Sequence, residues 1–282
     1  MDITSKAMLV RLSISQWSAR RLDREATQEV IASHNASQDA GRFNKLLVKL
    51  DAVKLYQRAA NEARVFHYAN TLPWGDDESR ILPAANYFQY SEKMRGFRAA
   101  FEQAADEFVS AYPGLIERAK RDLNGLFRVE DYPGVGELRV KFRFSVAVNP
   151  VPASDDFRVS LSAGESDSIR EEIERRVRAS VDAAMRDAFN RLAEALRSVS
   201  RKLHDGDAIF RDSLIGNLRE LCDVLPRLNL TADPALDAVV EEVRDSLAGL
   251  NPDLLRECEF DRKTAALKAD SILAKMAAYC GA

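Results

Sequence analysis

The sequence predicts an α+β protein, predominantly α, in which long antiparallel helices carry a small antiparallel β-sheet or hairpin. Three observations point there. The composition, 46% hydrophobic and 30% charged with only 12 Gly and 9 Pro, is that of a mainly helical globular chain. Most of the length spaces its apolar residues by threes and fours. One stretch, Leu138 to Val148, instead alternates strictly, with Leu138, Val140, Phe142, Phe144, Val146 and Val148 on one side and Arg139, Lys141, Arg143, Ser145 and Ala147 on the other.

In chain order, Ala7 to Trp17 also alternates and reads as a short strand able to join the central hairpin. Residues 19–32 turn helical and charged, and 34–41 form a polar loop. A helix is expected over 42–69, with Phe43, Leu46, Leu47, Leu50, Val53 and Leu55 at helical spacing. Residues 70–83 hold two prolines, Trp74, Gly75 and the acids Asp76, Asp77 and Glu78, and read as a loop. An aromatic-striped helix follows over 84–112 (Tyr87, Met94, Phe97, Phe101, Phe108, Tyr112), with Pro113 either kinking it or opening a continuation to about Phe127.

The alternating stretch then runs through the turn formers of 149–156 into Phe157-Arg-Val-Ser-Leu161, suggesting a hairpin inserted over 137–162. Ser168 and Glu171 make a capping box for the longest helix, about 169–203, whose apolar seam settles into alternating fours and threes. At 1.5 Å per residue it would be roughly 50 Å long. His204-Asp-Gly206 supplies its stop. A further helix is expected over 207–225, ended by Pro226. Asp233-Pro234 and Asn251-Pro252 each place a cap before a first-turn proline, opening helices over 235–247 and 253–279. No Gly-, Ser- or Pro-rich linker divides the chain, which favours a single elongated domain over 1–282.

A formal charge of −3, from 41 basic and 44 acidic residues, lacks the basic excess of a dedicated nucleic-acid binder, so nucleic acid would need a local patch. The face Arg139, Lys141, Arg143 and Arg158 is that patch: four cations on one side of a hairpin suit a phosphate backbone or a protein partner. Charge on an exposed strand also serves solubility and discourages edge pairing. The acidic loop Asp76, Asp77 and Glu78, near His67, is a second candidate contact. Consecutive acids diverge in direction, however, and give no metal-ligand spacing. His34, His67 and His204 have no partnered motif, and Gly134-Val-Gly136 precedes a strand, so it is no phosphate loop. No cofactor and no catalytic set is indicated. The long-helix seam fits either packing within the chain or self-association.

The three cysteines, Cys222, Cys258 and Cys280, are widely spaced and suit a reducing cytoplasm. Neither a leader pattern nor an apolar run near the roughly 20 residues of a membrane span is seen.

The blocks Leu9-Val-Arg-Leu-Ser-Ile-Ser-Gln-Trp-Ser-Ala-Arg-Arg21, Asp39-Ala-Gly-Arg-Phe-Asn-Lys45, Thr71-Leu-Pro-Trp74, Arg80-Ile-Leu-Pro-Ala84 and Ile209-Phe-Arg-Asp-Ser213 resemble an uncharacterised family encoded by tailed bacteriophages and prophages. The Leu-x-Ile-x-x-Trp opening is also similar to a bacterial and phage domain family found beside AAA+ ATPase and von Willebrand A-type genes. The resemblance implies a phage protein in the bacterial cytoplasm, working with an ATPase or in phage DNA metabolism. It supplies no catalytic residues. The expectation is a non-enzymatic interaction or scaffold protein that self-associates; the alternative is a DNA- or RNA-binding factor of replication or recombination, and a metal-dependent enzyme is the weakest reading.

Overall fold

The computed structural model describes residues 3–75, 78–153, 163–205 and 211–279. The described residues are 68% helical with a small antiparallel sheet, so the α+β class, predominantly α, holds. In order the elements are β1 (Ala7–Ser15), β2 (Arg20–Leu22), α1 (Arg24–Ser33), β3 (Asn44–Leu46), α2 (Leu50–Ala69), β4 (Leu72–Pro73), β5 (Arg80–Pro83), α3 (Tyr87–Leu123), α4 (Val135–Arg139), β6 (Arg143–Pro150), α5 (Ala163–His204), α6 (Ser213–Leu228), α7 (Pro234–Val243), α8 (Pro252–Glu257) and α9 (Glu259–Met276). The larger sheet has the order β4-β5-β1-β6, and β2 pairs with β3 in a second.

Two compact units emerge. Unit 1 comprises Met1–Arg11, Tyr68–Tyr90 and Ala147–Ala282, and unit 2 comprises Leu12–His67 and Ser91–Val146. The boundaries fall inside β1, α2, α3 and β6, so continuous secondary structure carries the chain from one unit to the other and no linker composition is required.

In unit 1, β1 pairs antiparallel with β5, Ala7 opposite Pro83 through Val10 opposite Arg80. The core is the C-terminal half of α5 packed with α6, α7 and α9. Leu192, Leu196, Val199 and Leu203, spaced by fours and threes, are essentially inaccessible within it. That part of the seam is therefore an intramolecular contact. Phe189 stacks on Tyr279 at 5.0 Å and Ser200 bonds Asp270, so α5 and α9 run antiparallel. Asp233 and Asn251 cap α7 and α8 as expected, accepting from the backbone N–H of Ala235 and Asp253.

Unit 2 is an aromatic core between antiparallel α2 and α3. Tyr56 meets Phe108 at 5.2 Å and Phe66 meets Phe97 at 5.5 Å, contacts that run in opposite chain order. Trp17 packs against Phe108 and Tyr112, and Phe142 and Phe144 from the strand side close on Phe101. The aromatic stripe of α3 is thus core.

Several expectations are corrected. Residues 138–141 are not strand: Leu138 N–H donates to Gly134 O at 2.8 Å and Lys141 N–H to Leu138 O at 3.1 Å, a helical turn ahead of β6. Val135, Leu138 and Phe142 are spaced for a helix while 138, 140 and 142 are spaced for a strand, and the short run satisfied both periods. Val140, assigned inward, is 60% exposed, whereas Leu138 is fully buried. The partner strand 157–161 lies outside the described residues. The helix expected from residue 42 begins at Leu50, because 44–46 pair with β2. The loop 70–83 contains β4 and β5, Leu72 facing Ile81.

Pro226 does not end α6. It sits inside the last turn, and the Cys222 carbonyl that its missing N–H would have served accepts from Arg244 Nη2 at 2.9 Å, which offsets the lost hydrogen bond of an interior proline. The final helix breaks at Cys258, whose φ of −113° and ψ of 107° separate α8 from α9.

Candidate functional site

The predicted cations do not share a strand face. Arg139 ends α4 and its Nη1 lies 3.4 Å from Asp106 Oδ1 in an exposed ion pair, Lys141 occupies the turn, and Arg143 opens β6 with Nε donating to Val140 O at 3.1 Å. Lys141 and Arg143 are exposed. Arg158 lies outside the described residues, as do Asp76 and Asp77. Glu78 is exposed and pairs with Arg11 at 2.8 Å.

Unit 2 also builds a buried ionic node that the spacing did not reveal. Lys45 on β3 places Nζ 2.9 Å from Asp23 Oδ2, 2.7 Å from Asp131 Oδ2 and 2.9 Å from Leu126 O. The three side chains are only 3%, 8% and 13% exposed. Asp23 also caps α1, accepting from Ala26 N–H at 3.1 Å. The Lys45 hydrogen bond, then that cap, hold the Asp23 carboxyl below its ordinary range. Burial opposes the Lys45 charge, but its bonds to Asp131 and Asp23 outweigh it and raise its pKa. The ammonium donates to Asp23 and Leu126 O and pairs in charge with Asp131, so the node joins the β2–β3 ribbon to residues 126–131.

In unit 1, Ser200, Asp270 and His204 meet. Ser200 Oγ donates to Asp270 Oδ1 at 2.5 Å and His204 Nε2 lies 2.7 Å from Asp270 Oδ2. A hydrolase triad puts the imidazole between hydroxyl and carboxylate. Here the carboxylate is central and the imidazole does not reach the hydroxyl, so the group ties α5 to α9. Among the described residues, no three His, Cys, Asp or Glu side chains gather at metal-binding range.

The feature best suited to a contact is a cavity of about 650 Å³ in unit 2 between α2 and α3. Leu46, Leu47, Val48, Ala52 and Leu55 line one wall. Ala104, Phe108, Ala111, Leu115, Ala119 and Leu123 line the other, an i, i+4, i+7 stripe along α3 that covers about 28 Å at 1.5 Å per residue. Phe108, Leu115 and Ala119 are buried and form the floor, while Leu46, Leu50 and Leu55 are exposed, the last at 61%. Charges border it: Lys49 pairs with Asp122 at 3.2 Å, and Asp51, Glu107 and Arg118 complete the rim. The α3 wall leaves room because small residues, Ala104, Ala111 and Ala119, alternate with large ones. Sequence reasoning assigned Leu55 to the apolar stripe of this helix, whereas it is 61% exposed at the mouth of the cavity.

No protein-family model matches the chain, and neither curated proteins nor solved structures match it. No described helix is long and apolar enough to cross a membrane.

Proposed function

We propose that this is a non-enzymatic interaction protein whose unit 2 receives an amphipathic helix of a partner in the α2–α3 groove. The observation that carries the reading is the length and shape of the groove: an apolar wall along five turns of α3, open beside exposed leucines and edged by both signs of charge. Helix-in-groove recognition takes apolar anchors at i, i+3, i+4 and i+7, the spacing the α3 wall itself presents. The mixed rim matches a helix with interspersed acids and bases on its outer edges. In this proposal the partner is another protein of the phage or host cytoplasm, an AAA+ ATPase or a second copy of this chain among them. The phage setting rests on the motif resemblance alone.

The test is titration of helical peptides carrying leucine anchors at that spacing, followed by Trp17 fluorescence, since Trp17 packs 5.8 Å from the groove residue Phe108. Peptides that bind should lose about tenfold or more in affinity to Leu55→Asp and Ala111→Glu. Binding indifferent to both substitutions overturns the proposal, and light scattering on the parent separates a second copy from a foreign partner.

The nucleic-acid reading retains one specific support: Lys141 and Arg143 are exposed and pair with no carboxylate among the described residues. It predicts single-stranded DNA binding that falls steeply with salt, and a flat salt series ends it.

A further inference from the structure

Unit 1 holds two arginines that converge on a single backbone carbonyl. Arg80, opening β5, donates from Nε to Thr71 Oγ1 at 2.7 Å and from Nη2 to Thr71 O at 3.0 Å. Arg191 on α5 donates from Nη2 to the same Thr71 O at 2.8 Å and from Nη1 to Ala69 O at 3.1 Å. Thr71 is fully buried, so both guanidiniums are held in place by backbone that does not move aside.

Their charge is undercompensated. Arg191 Nε pairs with Asp187 Oδ2, one helical turn earlier, at 2.7 Å. Arg80 has no carboxylate in ion-pair range among the described residues; its guanidinium instead lies 4.9 Å from the centre of the Tyr68 ring. Burial, and then the nearby Arg191 charge, pull the Arg80 pKa below its ordinary value. A guanidinium does not shed its proton at any physiological pH, so the two cations share one nearby carboxylate, Asp187, which pairs with Arg191 and whose charge also acts on Arg80, and one positive charge is left over. Arg80 Nη1 donates to no described group, and Arg191 keeps one unused N–H on each Nη.

We propose that the Arg80–Arg191 pair is an oxyanion site, built for a phosphate group. Two guanidinium forks fixed on one carbonyl present donors from two directions. A phosphate spreads its oxygens over a tetrahedron and carries more negative charge, so it can meet two forks that approach from different directions, whereas a carboxylate offers two oxygens in one plane. The site lies wholly within unit 1 and does not depend on the groove reading for unit 2.

The test uses the full chain and inorganic phosphate, with phenyl phosphate as the monoester arm and acetate and sodium chloride at matched ionic strength as controls. Calorimetric titration and thermal unfolding are the readouts. Phosphate or the monoester should bind and raise the unfolding midpoint where chloride and acetate do not. Arg80→Gln should weaken that binding about tenfold or more, the loss expected from removing charged donors. Asp187→Asn, which removes the competing carboxylate, should tighten it. This second variant matters because a pair that merely pins Thr71 gives no gain there. Phosphate acting no differently from chloride, or affinity unchanged in both variants, overturns the assignment.

Discussion

Lys45→Met is the most informative single change in unit 2. It keeps most of the length of the side chain and removes the cation held between Asp23 and Asp131, whose carboxylates are 8% and 13% exposed, leaving Asp131 the longer, 3.6 Å pair with the exposed Arg21. Removing one partner of a buried ion pair leaves the other charge unmet, at about 3–5 kcal/mol. The sign with pH follows from the shifts. Asp23 is depressed below its ordinary 3.8, so its contribution is complete above that value and is lost as pH falls through the lower folded pKa. Lys45 is raised above 10.5, so its contribution is complete below that value and is lost as pH rises through the higher folded pKa. The parent node therefore contributes in full from mild acid to mild alkali. In the variant Asp23 has no ion-pair partner among the described residues and Asp131 keeps only Arg21 at 3.6 Å, and protonating a carboxylate relieves the loss, so the gap between parent and variant should narrow as pH falls from 7 toward 4. Urea unfolding followed by Trp17 fluorescence, in a Trp74→Phe background so that only unit 2 is read, measures the gap at each pH. Adding Asp23→Asn and Asp131→Asn should restore much of the loss. A cost below about 1 kcal/mol, the worth of an exposed pair, or a gap independent of pH, refutes the reasoning.

Two further outcomes follow from unit 1. Arg244→Met leaves the Cys222 carbonyl ahead of Pro226 without its donor and should cost about 1–2 kcal/mol. Burial pushes the Cys222 thiol up to about 11, so its alkylation at neutral pH reports opening of unit 1. In a Cys258→Ser, Cys280→Ser background the substitution should speed that labelling about fivefold or more. Asp270 is held below its ordinary 3.8 first by the Ser200 hydroxyl and then by His204. The stability it adds is present above that value and lost as pH falls through the lower folded pKa, so Asp270→Asn should flatten the acid limb of unit 1 unfolding, measured by urea unfolding followed by Trp74 fluorescence in a Trp17→Phe background.

What the sequence revealed was set by local chemistry. The caps Asp233 and Asn251, each followed by proline, fixed two helix starts because the bonds they make span only a residue or two. The α5 seam and the α3 aromatic stripe were visible because a single period held over many turns. What escaped was decided at long range. Lys45 lies in a run spaced for a helix, yet partners at positions 23 and 131 draw it into a strand. Pro226 reads as a stop until Arg244, distant in sequence, supplies a donor to Cys222. Leu138 to Phe142 fits both periods, and Gly134 with its free carbonyl tips it to a helical turn. The groove needed both α2 and α3 in place, so the cations of 139–143, which the sequence singled out, turned out to be divided between a helix end, a turn and a strand.

The four places where the chain passes between units, at 11–12, 67–68, 90–91 and 146–147, dictate an order of events during synthesis. Everything that unit 2 requires has left the ribosome once Val146 is out. Ile3, Ala7 and Leu9 belong to the core formed with α5 to α9, and they must wait for those helices to be made. Residues that precede unit 2 in the chain are therefore buried after it, and translation halted beyond unit 2 would leave them bare as bait for chaperones or aggregation.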